Sequence, residues 1–239
     1  MTDILAIGDM HAQTRGPDDD FGKDGAADKA LIQLTEDYPD ARFVLVGDIF
    51  EAQQSLRHER RKENIMSAIW HAHSDALEAL WSRTEAWMGG NHSERLIGMK
   101  WKGIECLPYL AWNGVWFEHG HAHDPLISKH PHTCARLADV AGWLERHVDS
   151  DFDLWVSMVQ RWLSGTGRHG GEGRNEKYWP AVADTAWEHG CNTAVFGHTH
   201  QKDQTYMGAW EGSRELFHID LFNTGHWTNG SRDVTRMEV

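Results

Sequence analysis

Cysteine is scarce in this sequence, which excludes a fold held together by a framework of disulfide bonds. Cys106, Cys134 and Cys191 are the only three, and no two of them form a CxxC pair. An odd number of widely spaced cysteines is typical of free thiols in a reducing compartment. We therefore expect structural thiols and a core stabilised by hydrophobic burial, for which 239 residues with 40% hydrophobic content suffice.

Long apolar runs are also absent. No window approaches the roughly 20 consecutive apolar residues that a membrane-spanning helix needs. The first residues, Met-Thr-Asp-Ile-Leu-Ala, do not combine a basic stretch with a long apolar segment, as a secretory signal does. We expect a soluble, cytoplasmic protein without a membrane span.

Basic residues are outnumbered by acidic ones. The chain has 23 lysines and arginines against 36 aspartates and glutamates, a formal net charge of -13 at pH 7. Such a chain repels polyanions, because binding to nucleic acid depends largely on basic side chains that displace counterions from phosphates. Extended nucleic acid is therefore not an expected partner.

Histidine, in contrast, is abundant, and several of the 17 histidines lie in polar turns that follow short apolar runs. These runs have the composition of buried strands. Five of them, each followed by a turn with Asp, Asn or His, cover residues 3–7, 43–46, 87–88, 115–117 and 194–196.

Helical patterns separate these strand-like runs. The clearest covers residues 59–86, where apolar residues recur at three-to-four spacing. Alternating strands and helices predict an α/β chain. Because ligands of open α/β sheets bind outside the carboxyl ends of the strands, we expect the five polar turns to converge on one site.

A single domain over residues 1–239 is the expected organisation, with one insertion. Residues 125–175 contain helical patterns and then a glycine-rich stretch, 165–174, and they predict a helical cap inserted into the main domain. Beyond it, Pro180 and Gly190 are placed as at the beginning and the end of a helix.

Three of the turns carry the strongest chemical signal. Asp9 and His11 lie two positions apart at a strand end, so a carboxylate and an imidazole can chelate one ion. His198 and His200 have the same spacing, which is unfavourable after an apolar strand unless the imidazoles find a partner. Asp48 could bridge two cations, because each carboxylate oxygen can serve a different metal.

The other turns are weaker signals on their own. Asn91 offers a neutral amide oxygen, which limits the negative charge around bound cations, but Gly-Asn-His is also an ordinary turn sequence. His92, next to it, would face the site without being needed as a ligand. His119 and His121 form a further pair in a region that is generally rich in histidine.

The order of these turns resembles that of the calcineurin-like metallophosphoesterase superfamily. Its blocks, Gly-Asp-x-His, Gly-Asp-x-x-Asp/Glu, Gly-Asn-His-Asp/Glu, His-Gly-x and Gly-His-x-His, occur in this order over residues 8–200. The resemblance implies an α/β fold of four layers, an α-β-β-α sandwich with an inserted helical cap. It also implies a dinuclear centre in which Asp9, His11 and His200 hold the first metal, Asn91, His119 and His198 hold the second, and Asp48 bridges.

Two blocks depart from the common pattern. Residues 47–51, Gly-Asp-Ile-Phe-Glu, are similar to the branch that includes UDP-2,3-diacylglucosamine pyrophosphatases rather than to protein phosphatases. That branch carries Gly-Asn-Arg-Asp where this chain has Gly-Asn-His-Ser. Because Ser93 replaces the usual acidic residue, we expect His92 either to use Glu94 as its carboxylate partner or to be a weaker proton donor.

The resemblance implies hydrolysis of a phosphoric ester. Mixed nitrogen and oxygen ligands suit two divalent ions, Mn²⁺ first, with Fe or Zn²⁺ as alternatives. Such ions can lower the pKa of a bridging water to near neutrality and position the hydroxide for in-line attack on phosphorus. In this scheme Asp48 and His92 are the catalytic residues, with His92 stabilising the phosphate charge or protonating the leaving oxygen. His121, Arg168 and Arg174 are candidate substrate contacts.

Three functions remain open at this point. The acidic composition favours hydrolysis of a small phosphomonoester or pyrophosphate over phosphodiesterase or nuclease activity on nucleotides or short nucleic acid. The third is a non-catalytic metal-binding scaffold, which is disfavoured because such members of the superfamily tend to lose ligands or the counterpart of His92. Both are retained here.

Overall fold

A computed structural model of the chain describes residues 3–14, 19, 21, 25–52, 62–129, 178–208, 218–227 and 232–238. Most of the predicted cap, with Arg168 and Arg174, lies outside these residues, and so does Cys134. Cys106 and Cys191 are free thiols and buried, as the sequence predicts. None of the described helices has the length and apolar character needed to cross a membrane.

Strands and helices alternate along the described chain, which confirms the α/β class. The strands are β1 (Asp3–Ile7), β2 (Arg42–Val46), β3 (Thr84–Met88), β4 (Lys100–Trp101), β5 (Ile104–Leu107), β6 (Tyr109–Trp112), β7 (Val115–Glu118), β8 (Thr193–Phe196), β9 (Asp203–Gly208), β10 (His218–Asn223) and β11 (Thr235–Glu238). The α-helices are α1 (Ala26–Asp37), α2 (Lys62–Ala72), α3 (Ser74–Trp81), α4 (Pro125–Lys129) and α5 (Trp179–Glu188). Two short 3₁₀ helices cover Glu94–Leu96 and His121–His123.

The strands form two sheets, each with a parallel centre and antiparallel edges. The first sheet has the order β11-β1-β2-β3-β5-β4, and the second has the order β6-β7-β8-β10-β9. In the first sheet β1, β2, β3 and β5 are parallel neighbours. In the second, β7, β8 and β10 are parallel. The five predicted strand-like runs are β1, β2, β3, β7 and β8, so all five lie in these parallel centres.

Alternating residues of the central strands bury on opposite faces and produce four layers. On β2, Phe43 and Leu45 pack with α1, α2 and α3 on the outer face, while Val44 and Val46 face the second sheet. On β8, Val195 packs between the sheets, and its neighbours Ala194 and Phe196 pack against α5. The layers are therefore helix, sheet, sheet and helix, as expected.

The prediction of one helical segment over residues 59–86 is wrong in part. The described chain has two helices there, α2 and α3, and then the strand β3. The break falls at His73, whose φ of -124° and ψ of 31° leave the helical region, and whose ring turns towards two buried carboxylates. Helix α5 matches its prediction, with Pro180 in its first turn and Gly190 in the left-handed conformation just beyond its end.

Candidate metal centre

Six turns meet where the parallel strands of both sheets end. The turns after β1, β2 and β3 come from the first sheet, and those after β7, β8 and β10 come from the second. Hydrogen bonds connect the two sets: the backbone N–H of His198 donates to Asp9 Oδ2 at 2.9 Å, and that of Trp227 donates to the Asp9 carbonyl at 3.1 Å. Residues from the whole length of the chain thus line one site.

The backbone of these turns is strained. Among the described non-glycine residues, positive φ is concentrated there, with values between 47° and 71° at Asp9, His11, Asp48, His198 and His200. Two further cases, Lys102 and Asn113, lie in tight hairpin turns, where this conformation is ordinary. For other residues it costs roughly 1–2 kcal/mol, and such strain concentrates at functional sites.

Two glycines of the turns let the loops approach more closely than any side chain would allow. A Cβ atom on Gly197 would overlap Asp9 Oδ2, and one on Gly90 would overlap Asp48 Oδ1. The glycines of the Gly-Gly-Asn-His and Gly-His-Thr-His turns are therefore required by the packing of buried carboxylates against the neighbouring backbone.

The first group of possible metal ligands consists of Asp9, His11 and His200. One ligand atom from each lies within 4.8 Å of the others. Asp9 Oδ1 lies 3.2 Å from His200 Nε2 and 4.0 Å from His11 Nε2. The carboxylate of Asp9 is buried, whereas the side chain of His200 is 41% exposed. These are the three residues that the family resemblance assigns to the first metal, an assignment that stays a prediction.

The second group consists of Asp9, Asp48 and His119. His119 Nε2 lies 2.9 Å from Asp48 Oδ2 and 3.1 Å from Asn91 Oδ1. Asn91 thus lies beside the second group, and its role as a ligand of the second metal, which the family resemblance implies, stays a prediction. Asp9 belongs to both groups, although the sequence assigned the shared position to Asp48; bridging by Asp48 stays a prediction.

The two oxygens of Asp48 have different partners. Oδ1 accepts hydrogen bonds from the backbone N–H of His92 at 2.9 Å and from the hydroxyl of Ser93 at 3.1 Å. Oδ2 faces the ring of His119. One oxygen is therefore held by the turn after β3, and the other points towards the possible ligands.

Glu51, which the sequence analysis missed, forms a third group of possible metal ligands with His11 and His92. Its Oε2 atom lies 3.0 Å from His11 Nδ1 and 2.7 Å from His92 Nδ1, and its side chain is 2% exposed. Glu51, and not Glu94, is therefore the carboxylate beside His92, since Glu94 is exposed on a 3₁₀ helix. The signal was present in the Gly-Asp-Ile-Phe-Glu block, whose last residue follows the same strand as Asp48.

Without a metal, opposite charges hold these groups together. Burial alone would raise the pKa of Asp9, but His119 and His200 outweigh it and lower that pKa to about 2. Burial alone would lower the pKa of His119, but Asp48 and Asp9 raise it to about 9. Because metals bind imidazole in its neutral form, loading this site would release protons.

His198 and His121 lie beside the three groups of possible metal ligands rather than in them. The ring of His198 is 5.2 Å from that of His119, and its Nε2 atom lies 3.4 Å from Asp124 Oδ2. The hydroxyl of Tyr178 donates to the same oxygen at 2.7 Å. His121 lies 5.4 Å from the His119 ring, between ring centroids, and burial lowers its pKa to about 3, with a further contribution from His119.

The sixth turn, after β10, brings a histidine that the sequence analysis also missed. The ring of His226 stacks on that of His200, with centroids 5.4 Å apart and an interplanar angle of 17°. The sequence carries the same signal here as elsewhere, an apolar run that ends in Asn-Thr-Gly-His.

The donor atoms fit divalent metal ions. Asp9 Oδ1 and His11 Nε2 are buried, and neither makes a well-oriented hydrogen bond to any described residue. Unsatisfied buried polar atoms are unfavourable and call for a ligand. Mixed carboxylate, amide and imidazole ligands suit Mn²⁺, Fe or Zn²⁺.

Comparisons with known proteins add solved structures of low similarity. No family model matches the chain, and no curated protein matches it. It is similar to a conserved uncharacterized protein from Streptococcus pneumoniae described as a predicted phosphoesterase, with 13% identity and a TM-score of 0.38 over 99% of this chain and 83% of that one. It is also similar to a single mutant of Vps29 from Entamoeba histolytica, with 12% identity and a TM-score of 0.42 over 100% of this chain and 86% of that one. The fold assignment therefore rests on the strand order and layers of this chain itself.

Proposed function

We propose that this chain is a calcineurin-like metallophosphoesterase that uses two divalent metal ions to hydrolyse a small phosphomonoester or pyrophosphate. One observation carries the proposal: Asp9 Oδ1 and His11 Nε2 are buried without well-oriented partners among the described residues. Both lie in a cluster of carboxylates and imidazoles at the carboxyl ends of parallel strands. The five ordered sequence blocks support the same assignment.

Asp9, His11 and His200 would hold one ion, and Asp48, Asn91, His119 and His198 would hold the other. Because Asp9 belongs to the first and the second group of possible ligands, it joins Asp48 as a candidate for the carboxylate between the ions. When bound, divalent ions supply Lewis acidity, which activates water as a nucleophile and neutralises charge on phosphate oxygens. The carboxylate of Glu51 contacts the Nδ1 atom of His11, so the Nε2 atom of His11 is left facing Asp9.

His92 is placed to serve the leaving group. Its side chain is 29% exposed, so it faces the solvent side of the site, while its Nδ1 atom is held by Glu51. Burial disfavours the charged ring, but Glu51 outweighs this and raises the pKa of His92 to about 10. In the metal-free protein the ring is therefore protonated at neutral pH, which is the state from which a general acid acts.

The test is a hydrolysis screen of the chelator-treated protein after addition of Mn²⁺, Fe²⁺ or Zn²⁺. The substrates are phosphomonoesters, pyrophosphates, nucleoside diphosphate sugars, phosphodiesters and short nucleic acids. Nucleoside diphosphate sugars are included because residues 47–51 resemble the UDP-2,3-diacylglucosamine pyrophosphatase branch. We expect metal-dependent turnover of a phosphomonoester or a pyrophosphate.

An Asp28→Asn variant is the matched control for this screen, because it changes a buried carboxylate of the helical layer that is bonded to His73. Its turnover should match that of the unchanged protein. Hydrolysis of phosphodiesters alone would replace the proposed substrate class, and no hydrolysis with any metal would overturn the enzyme assignment.

A further inference from the structure

Ser93 occupies a buried position at the centre of the turn after β3. Its side chain is almost fully buried, with 1% of the residue exposed. The backbone N–H of Gly90 donates to Ser93 Oγ at 2.8 Å, and the Ser93 hydroxyl donates to Asp48 Oδ1 at 3.1 Å. One hydroxyl thus connects the turn after β3 to the carboxylate that follows β2.

The hydroxyl restricts the rotation of the Asp48 carboxylate. Oδ1 accepts both the Ser93 hydroxyl and the His92 backbone N–H, so its acceptor directions on that side are occupied. Oδ2 is left facing His119. A buried carboxylate with two donors on one oxygen has a single favourable orientation, because rotation would leave both donors unsatisfied.

We propose that Ser93 is a positioning residue that ties up Asp48 Oδ1, so that only Oδ2 is offered to the metal ions. This inference rests on the metal centre of the proposed function. It also gives a physical meaning to the sequence difference at this position. An ionised Asp or Glu is an acceptor only, so it cannot donate to a second carboxylate. A serine hydroxyl can, so Ser93 donates a hydrogen bond to Asp48 that an ionised acidic residue at this position could not donate.

A simpler role for Ser93 is to close its own turn. The Ser93 backbone N–H donates to the Gly90 carbonyl at 3.2 Å, which together with the Gly90 contact to Ser93 Oγ stabilises the turn without any metal. This role predicts a loss of thermal stability in the metal-free protein. Positioning of Asp48 predicts in addition a loss of metal affinity.

The test is a titration of the metal-free protein with Mn²⁺ alone. Calorimetry and the electron paramagnetic resonance signal of free Mn²⁺ measure the binding. For Ser93→Ala we expect at least about tenfold weaker binding of Mn²⁺, the change typical of losing one hydrogen bond to a buried charge. Ser93→Thr keeps the hydroxyl and should restore affinity. Thr84→Val is the matched control, because it removes a buried hydroxyl at the beginning of β3, where it donates to the Leu80 carbonyl.

The titration separates this inference from the proposed function, because it needs no substrate. If Ser93→Ala lowers the melting temperature of the metal-free protein but binds Mn²⁺ like the unchanged protein, Ser93 only closes its turn and the proposal is wrong. Equal losses of affinity in Ser93→Ala and Thr84→Val would also overturn it. Weak binding in Ser93→Ala, with no hydrolysis by any variant, would support the positioning role while the proposed function fails.

Discussion

Two buried clusters of histidine and carboxylate can be compared in this protein. The candidate metal centre lies at the carboxyl ends of the parallel strands, and the His73 cluster, formed by His73, Asp19 and Asp28, lies in the helical layer. In the His73 cluster both ring nitrogens are bonded, Nδ1 to Asp28 at 2.8 Å and Nε2 to Asp19 at 3.0 Å. Nε2 also lies 2.8 Å from the Gln13 carbonyl.

The metal centre has the same residue types, but not all of its buried atoms make well-oriented hydrogen bonds to the described residues. Asp9 Oδ1 and His11 Nε2 are without well-oriented partners in the described part of the chain. Five of its candidate ligand residues have positive φ, namely Asp9, His11, Asp48, His198 and His200, and none of the three residues of the His73 cluster does. Residue type and burial therefore do not identify a metal site by themselves; we propose that unsatisfied ligand atoms on a strained backbone mark it.

The largest expected effect is on turnover, which substitutions in the two clusters should change very differently. Asp48→Ala removes a proposed ligand of the metal centre, and we expect turnover to fall by more than about 10⁴-fold, because water activation and charge neutralisation by the metals would both be impaired. Asp28→Ala breaks a buried ion pair in the His73 cluster, which costs about 3–5 kcal/mol of stability, and it should leave metal content unchanged. Elemental analysis and turnover of both folded variants check this. Unchanged metal content in Asp48→Ala would count against its role as a ligand.

The next effect concerns His92, to which the proposed function gives the role of general acid rather than of metal ligand. We expect His92→Ala to retain its metal and to lose about 10²–10⁴-fold in turnover, the contribution of a general acid. The loss should be largest on esters with poor leaving groups and small on activated aryl phosphates. Equal turnover of a poor leaving group by the variant and the unchanged protein would refute the role.

The His73 cluster should make the free energy of unfolding depend on pH. Burial disfavours the charged form of the His73 ring, but hydrogen bonds to Asp19 and Asp28 outweigh this and raise the pKa of His73 to about 9, above its ordinary value of 6.5. A raised pKa stabilises the folded state fully below pH 6.5, and this contribution, about 3 kcal/mol, is lost as the pH rises to 9. The difference in unfolding free energy between the unchanged protein and His73→Gln, measured with chelator from pH 6 to 9.5, should shrink accordingly. A constant difference would contradict the charged state of His73.

The smallest expected effect lies at the border of the metal centre. Tyr178→Phe removes the hydroxyl that bonds Asp124, the carboxylate beside His198. We expect a several-fold loss of affinity for one metal ion, since one hydrogen bond contributes about 0.5–1.5 kcal/mol. Tyr109→Phe, at a residue that is 49% exposed, is the control. Equal affinity of both variants would show that Asp124 does not act on the centre through His198.

The sequence predicts the strand ends of the fold well, because each buried strand is a short apolar run with a polar turn behind it. It does not predict the boundary at His73. The apolar spacing of Ile69, Ala76 and Leu80 continues across the break, since both helices bury the same face against the first sheet. Helix α2 ends where the His73 ring pairs with carboxylates that are distant in sequence. The periodicity of apolar residues does not report such a contact.

The same limit applies to the site. Ligand candidates next to glycine in a strand-end turn are visible in the sequence, and the structure brings Asp9, His11 and His200 together as expected. Glu51 and the partners of Asp48 depend on which loops are neighbours, which follows from the parallel order of β1, β2 and β3. Local pattern does not encode that order.

The most direct measurement is anomalous diffraction from crystals of the protein grown with MnCl₂. We expect two Mn²⁺ peaks at the candidate metal centre, one beside Asp9, His11 and His200 and one beside Asp48, Asn91 and His119, and no peak at His73. A centre without Mn²⁺ at a concentration that supports hydrolysis, or a peak at the His73 cluster instead, would contradict the central claim that unsatisfied ligand atoms mark the metal site.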